Sequence, residues 1–261
     1  MFTHDFKGKV IIASGAASGM GLLVCQKFAE LGGAAVLADV NEEALMAAVK
    51  SITDKGGKAV GIKCDVRNYD DVTAACQLAK NTFGSLDVVV NTAGGAELRM
   101  LNQTGRFHEI PIEVFDWGLD VNLKGQFYFC HAAMKIMSEQ RSGVIINIGS
   151  ITGLEGSPTN VAYSTAKSAA MNGLTTSVAQ AGAYYDVRCV CVAPGPVLTR
   201  AAMANMKTAL GYAAEPEEIV DMFLYLASPM ARSITGTTIL MDGGRSVMFD
   251  KHCGDFGKYK D

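Results

Sequence analysis

Three side chains in this sequence are spaced to move a proton. Ser150 closes the run Asn147-Ile148-Gly149-Ser150, Tyr163 follows thirteen residues later, and Lys167 comes four residues after the tyrosine. Positions i and i+4 of a helix share a face, so this spacing sets an ammonium beside a phenol. A free phenol ionises near pH ~10. A fixed positive charge beside it favours the phenolate and lowers that value. A phenol tuned this way serves as acid or base near neutral pH. The serine hydroxyl, at a strand end, is then placed to hold a substrate oxygen. Tyr-x-x-x-Lys alone is a common helix-surface pair, so its meaning depends on what surrounds it.

What surrounds it begins near the N-terminus, in Ser14-Gly15-Ala16-Ala17-Ser18-Gly19-Met20-Gly21. This turn follows an apolar run and precedes a helical pattern. Gly15 permits the tight turn, Gly19 lets the backbone approach a pyrophosphate, and Gly21 lets helix and strand pack closely. Phosphates at such a site meet free N–H groups and the positive end of the helix dipole. Ser14, Gly15, Ser18, Gly19, Met20 and Gly21 are therefore candidate dinucleotide contacts, although GxxxGxG departs from the GxGxxG spacing. Asp39 ends the second apolar run, 24 residues after Gly15. A carboxylate there accepts both adenosine ribose hydroxyls and repels a 2′-phosphate, and the turn supplies no Arg or Lys. The expected cofactor is NAD rather than NADP. In Cys64-Asp65-Val66, Asp65 ends the third run, where it can accept from the adenine amino group or cap the following helix.

The elements that must position these residues alternate along the chain. Apolar runs over 9–14, 34–38, 59–63, 86–90, 144–149, 187–193 and 237–241 read as short strands, mostly continuous, as for parallel strands covered on both faces. Helical patterns cover about 19–31, 42–54, 68–83, 113–140, 160–183 and 215–227. The expected fold is α/β: a single Rossmann-like domain over 1–261, with a doubly wound parallel sheet of about seven strands flanked by helices. Two stretches, 94–111 and 198–214, break the alternation. In such a sheet they emerge at the carboxyl ends of strands, where ligands bind. A tail over 249–261 carries Phe249, Phe256 and Tyr259 and reads as frayed or docking on a partner or the pocket.

Taken together, these motifs resemble the short-chain dehydrogenase/reductase family over nearly the whole chain. The glycine turn is similar to the family's TGxxxGxG, with Ser14 in place of threonine. Asn91-Thr92-Ala93-Gly94 is similar to its NNAG, with Thr92 in place of the second asparagine. Asn122 stands where the family carries the asparagine of a catalytic tetrad, and Ser150, Tyr163 and Lys167 match the other three members. Pro194-Gly195-Pro196-Val197-Leu198-Thr199 resembles the PGxxxT segment on the nicotinamide side, and Thr235-Gly236 with Met241-Asp242-Gly243-Gly244 resembles the final strand.

The resemblance implies an oxidoreductase that interconverts a secondary alcohol and a ketone, with hydride moving to or from nicotinamide. Tyr163 gives or takes the alcohol proton, Ser150 stabilises the substrate oxygen, and Lys167 tunes the tyrosine and holds the nicotinamide ribose. Asn122 bends its helix and anchors a water. The implied cofactor contacts add Asp65, Val66, Asn91, Ala93, Gly94, Pro194, Gly195, Val197 and Thr199 to those above. Helices 113–137 and 160–183 resemble the pair through which relatives form dimers and tetramers, so a homotetramer is expected.

The substrate side departs from the family. The loop after Thr199 is short, with Glu215 only 16 positions on, whereas 94–111 is longer than is common and carries Glu97, Arg99, Arg106 and His108. Glu155, five residues after Ser150, is expected to face the pocket. An open pocket with polar walls favours a polyol, a sugar derivative or another hydroxylated or charged compound; a hydroxysteroid is the alternative. An epimerase or dehydratase using the cofactor transiently, and a non-enzymatic dinucleotide sensor, are the competing classes.

Composition narrows the field further. The chain has 261 residues, 49% hydrophobic and 19% charged, with net charge −3, which argues against nucleic-acid binding or a polybasic membrane anchor. Nowhere are there 18 consecutive apolar residues, and no apolar core of signal-peptide length opens the chain. Seven scattered cysteines without a CxxC pair, and four dispersed histidines, read as reduced thiols in a cytoplasmic protein and no metal site. His131 is expected to be a packed helix residue, and His108 a solvated loop residue.

Overall fold

The computed structural model describes residues 5–248, so the expectations for the tail 249–261 fall outside the described residues. Seven parallel strands form one sheet: β1 (Val10–Ser14), β2 (Ala34–Asp39), β3 (Lys58–Lys63), β4 (Val88–Asn91), β5 (Gly143–Ile148), β6 (Val187–Pro194) and β7 (Thr238–Met241). Their order is β3-β2-β1-β4-β5-β6-β7. The winding reverses between β1 and β4, which opens a crevice beyond the carboxyl ends of the strands. Ser14 pairs with Asn91, and Asn91 with Asn147, so the ends of the central strands are level at that crevice.

Side chains alternate across the sheet, and this divides the core in two. On one face Ile11, Leu37, Val90 and Ile146 pack with Phe28 of α1 (Gly19–Glu30) and Phe223 of α10 (Pro216–Ala227). On the other, Ile12, Val36, Val89 and Ile145 pack with Cys76 of α3 (Tyr69–Phe83) and Phe129 of α6 (Gly125–Gln140). Phe28, Phe129 and Phe223 are completely buried, and each such side chain contributes about 1.5–3 kcal/mol through apolar area removed from water. β1 and β4 are buried along their whole length, whereas the edge strand β3 exposes both its ends. Continuous apolar runs therefore mark the centre of the sheet.

The remaining helices are α2 (Glu42–Thr53), α4 (Glu97–Met100), α5 (Ile112–Leu119), α7 (Thr152–Glu155), α8 (Val161–Ala169) and α9 (Thr175–Ala183). Two long helices expected from periodicity are each divided by a five-residue π segment. Asp120–Lys124 lies between α5 and α6, and Ala170–Leu174 between α8 and α9. The loop 94–111 is partly helical and anchored: Leu98 and Ile110 pack with Val114, Phe115 and Ala162. The loop 198–214 is closed at its base, where Leu198 donates to the Ala214 carbonyl at 2.9 Å and Ala214 to that of Pro196 at 2.9 Å.

Candidate active site

The glycine turn is built as an anion cradle. Gly15 has φ +65°, and a side chain there would collide with the backbone of Ala93. Gly19 has φ +56° with open space above it. The first N–H groups of α1 have no intrahelical acceptor; the Ser18 side chain does not cap them, and no acidic residue stands in the first turn. These features fit a dinucleotide pyrophosphate.

The two residues that depart from the family's pattern here are partners. The Thr92 hydroxyl donates to the Ser14 carbonyl, and the Ser14 hydroxyl accepts from the Ala93 N–H at 3.1 Å. They tie the ends of β1 and β4 together at the switch point.

Asp39 lies at the end of β2, its carboxylate held by N–H groups of Ala17 (3.0 Å) and Asn41 (2.9 Å). That fixes it toward the glycine turn with lone pairs to spare. Asp65 does not cap the helix that follows it. Its carboxylate is engaged by Arg67 Nε at 2.9 Å, and the pairing holds it below the usual carboxylate range. Asn68, three residues on, caps α3 instead. Both partners are partly exposed, so rearrangement costs little.

The chemical end occupies a cleft of about 330 Å³. Ser150, Tyr163 and Lys167 all line it, together with Gly94, Gly195 and Thr199. Lys167 Nζ is buried, stands 5.5 Å from the Tyr163 ring centroid, and donates to the Ile148 carbonyl at 3.0 Å. Burial pushes its pKa down to about 8. Burial pushes the Tyr163 phenol up, because the charged form is disfavoured away from water. Interaction with Ser150, and then the positive charges of Arg200 and Arg99, pull it back down. Lys167 thus stands where the spacing set it, against the phenol ring and a strand-end carbonyl, and Arg200 and Arg99 also act on the phenol to lower its pKa.

Asn122 sits in the π segment and is completely buried. Its Nδ2 donates to the carbonyls of Gly118 (2.8 Å) and Gly95 (3.0 Å), and its Oδ1 accepts from the Gly95 N–H (2.9 Å). A side chain at Gly94 would collide with that amide oxygen. One turn on, Gln126 Nε2 donates to the Asn122 carbonyl at 2.6 Å, and its Oε1 accepts from the Ile148 N–H at 3.0 Å. Gln126 belongs to no motif in the sequence, where an amide at i+4 from Asn122 is its only signal. Asn91 donates to Asn147 Oδ1 at 2.9 Å beneath the strand ends, so it supports the crevice from within the core.

Two acidic residues take unexpected places. Glu97 is completely buried, and its oxygens accept from the N–H groups of Ala162 (3.0 Å) and Tyr163 (3.1 Å) at the start of α8. Glu155 does not line the cleft: it closes α7 and is bound by Arg245 Nη2 at 3.1 Å, and the same guanidinium donates to the Lys207 carbonyl at 2.9 Å. The short spacing from Ser150 hid this, because the α7 turn swings the carboxylate toward the end of β7. Arg99 and Arg200 do line the cleft. His108 is exposed as expected, whereas His131 is exposed too and meets the Tyr69 hydroxyl at 2.6 Å. No group of His, Cys, Asp and Glu able to hold a metal occurs among the described residues, and the six described cysteines are buried and free.

Known proteins share this architecture along almost the whole chain. A family model described as enoyl-(acyl carrier protein) reductase matches residues 15–246. A 3beta-hydroxysteroid dehydrogenase 2 of Eggerthella lenta is 34% identical over 254 residues, covering 92% of this chain and 95% of its own. A cis-4-hydroxycyclohexanecarboxylate dehydrogenase of Sinomonas cyclohexanicum is 34% identical over 253 residues, covering 93% and 98%. The crystal structure of a short-chain type dehydrogenase/reductase from Mycobacterium marinum superposes with a TM-score of 0.83 at 31% identity, covering 92% of this chain and 95% of that one. With these motifs, this sheet order and these relatives, the chain belongs to the short-chain dehydrogenase/reductase family of oxidoreductases, which act on CH–OH groups.

Proposed function

We propose that the protein is an NAD(H)-dependent dehydrogenase or reductase of secondary alcohols and ketones, with Tyr163 as the acid/base. The observation that carries this reading is the convergence of Ser150, Tyr163 and Lys167 on one cleft at the carboxyl edge of the sheet. When bound, the nicotinamide supplies a hydride acceptor or donor at its C4. Ser150 holds the substrate oxygen and stabilises charge developing on it. Tyr163 passes the proton to or from that oxygen, and Lys167 holds the ribose beside it. Asn122, locked to Gly95 and Gly118, keeps the loop and helix in register behind the phenol.

NAD is preferred because the Asp39 carboxylate, fixed by two N–H groups, accepts ribose hydroxyls and repels a 2′-phosphate. The nucleotide contacts run along the glycine turn, Asp39, the Asp65–Val66 strand end, Ala93–Gly94 and the Pro194–Thr199 segment. The protein works as a homotetramer built on α6 and the α8–α9 pair; the exposed Phe127 on α6 supports this. Buried free thiols suit the cytoplasm.

The test is a panel of secondary alcohols, sugars and hydroxysteroids, each offered with NAD⁺ and NADP⁺ and read by reduced-cofactor absorbance. Turnover with NAD⁺ that is lost in Tyr163→Phe supports the reading. Turnover preserved in that variant, or preference for NADP⁺, overturns it. Sedimentation as a stable monomer at micromolar concentration overturns the assembly.

A further inference from the structure

The cleft is lined by three cationic side chains, Arg99, Lys167 and Arg200, and by no carboxylate among the described residues. Lys167 is committed to the Ile148 carbonyl and the Tyr163 ring. The arginines have no such anchor. Among the described residues no carboxylate pairs with either, and Arg200 Nη2 meets only the thioether of Met203, at 3.4 Å. Glu97, two residues before Arg99, is used on the backbone of α8, and Glu155 on Arg245.

Both arginines are exposed to solvent where they line the cleft, so an incoming anion can reach them. Arg99 lies along the backbone of Gly95, where a side chain would come to 2.8 Å from its Nη2. Gly95 is itself bonded twice to Asn122. The guanidinium is thereby set in the cleft wall beside the catalytic asparagine. Arg200 approaches from the opposite loop, directly after Thr199. The two cations act on each other: Arg99 is held below the usual guanidinium range by burial and then by the charge of Arg200. Both also act on the Tyr163 phenol. Two like charges face one space next to the reacting oxygen, and an anion placed there would relieve the repulsion. Guanidinium groups recognise carboxylates through two parallel N–H···O bonds.

We propose that Arg99 and Arg200 form a receptor for a carboxylate carried by the substrate, so that the enzyme acts on hydroxy and oxo acids. This rests on the reading of Tyr163 and Ser150 as the reacting pair, because the receptor is placed relative to them. The acid group of the substrate seats between the two loops, and the hydroxyl or ketone carbon then lies against Ser150 and Tyr163. A phosphate ester offers the same oxyanion chemistry and is separated from a carboxylate by experiment.

Two measurements test it. The first compares kcat/KM for 4-hydroxycyclohexanecarboxylate, its carboxamide, 4-hydroxycyclohexyl phosphate and cyclohexanol with NAD⁺, in the native enzyme and in Arg99→Gln and Arg200→Gln. The expected result is a carboxylate preference over the carboxamide that collapses by about 10- to 100-fold in each variant. Equal turnover of acid and amide overturns the receptor but leaves the alcohol dehydrogenase reading standing. A higher rate on the phosphate reassigns the anion, and loss of NAD⁺ affinity with an unchanged acid-to-amide ratio assigns the arginines to the nucleotide; either overturns the proposal.

The second measurement needs no turnover. Cyclohexanecarboxylate is titrated into the NADH-loaded native enzyme and the double variant by calorimetry. Millimolar or tighter binding, weakened at least tenfold in the variant, supports the receptor even if none of the alcohols is oxidised. Absence of binding to the native enzyme overturns it.

Discussion

The backbone N–H of Tyr163 donates to Oε2 of Glu97, a residue 66 positions earlier, at 3.1 Å. The other oxygen of the same buried carboxylate takes the N–H of Ala162. A helix leaves its first N–H groups without intrahelical acceptors, and here a carboxylate from the substrate-side loop fills that role. A negative charge at a helix N-terminus is also favoured by the dipole. The loop after β4 is therefore a splint for the helix that carries the phenol. Glu97→Ala leaves two buried donors without an acceptor, at a cost of about 2–4 kcal/mol. Urea unfolding is expected to show that loss. In Glu97→Gln, which keeps one acceptor, kcat is expected to fall while KM for NAD⁺ is nearly unchanged. A Gln variant with native kcat would refute the splint.

Arg200 lowers the Tyr163 pKa, so its removal has a definite sign. Alcohol oxidation needs the phenolate, and kcat/KM should rise with pH to a plateau reached as the phenol ionises. In Arg200→Gln the lowering charge is gone, and the midpoint of that rise should move to higher pH. A pH profile of the NAD⁺-loaded enzyme checks this, and a midpoint that stays put or moves down contradicts it.

Much of this was readable in the residues themselves. β1, β4 and the 189–194 stretch of β6 are largely apolar runs because both sheet faces are covered, and a run of that kind is visible without knowing its neighbours. Ser150, Tyr163 and Lys167 carry their relation in their spacing. The elements that escaped are those whose meaning depends on distant partners or on depth. Glu97 and Tyr163, or Glu155 and Arg245, meet across 66 and 90 positions, so the charged loop residues read as pocket walls although two of the carboxylates serve other bonds. The π segment at Asn122 shifts the helix by one residue, which a 3.6-residue period averages away. Spacing also put a cation beside the phenol correctly, but it held no measure of burial, and burial decides the direction in which both Tyr163 and Lys167 titrate.

Asp39 is bonded by Ala17 and Asn41 N–H groups and so cannot swing away from a nucleotide in the glycine turn. Asp39→Ala removes the charge that repels a 2′-phosphate. The ratio of kcat/KM with NAD⁺ to that with NADP⁺ should fall by about 10- to 100-fold, equivalent to about 1.4–2.8 kcal/mol. Parallel assays with the two nucleotides on one alcohol measure it. An unchanged ratio places the selection elsewhere in the chain.

Lys167 is expected to lose its proton more than two pH units before an ordinary lysine. Its folded value is about 8 against 10.5 for the exposed amine. The direction of the stability effect follows from proton binding. Between pH 8 and 10.5 the unfolded chain holds a proton at this site that the folded chain has released, so stability rises with pH across that window. Below pH 8 both states are protonated, and the folded state bears the whole cost of a buried ammonium, about 3 kcal/mol. Lys167→Met removes both the charge and its titration. The native protein should therefore gain stability relative to the Met variant as pH goes from 7 to 10, by denaturant unfolding at fixed ionic strength. The ¹³Cε resonance of Lys167, assigned by its absence in the variant, should titrate near pH 8 while the surface lysines stay protonated. A midpoint above pH 10 would show that the ammonium is solvated, and the closed packing of Lys167 on the Ile148 carbonyl would then be wrong.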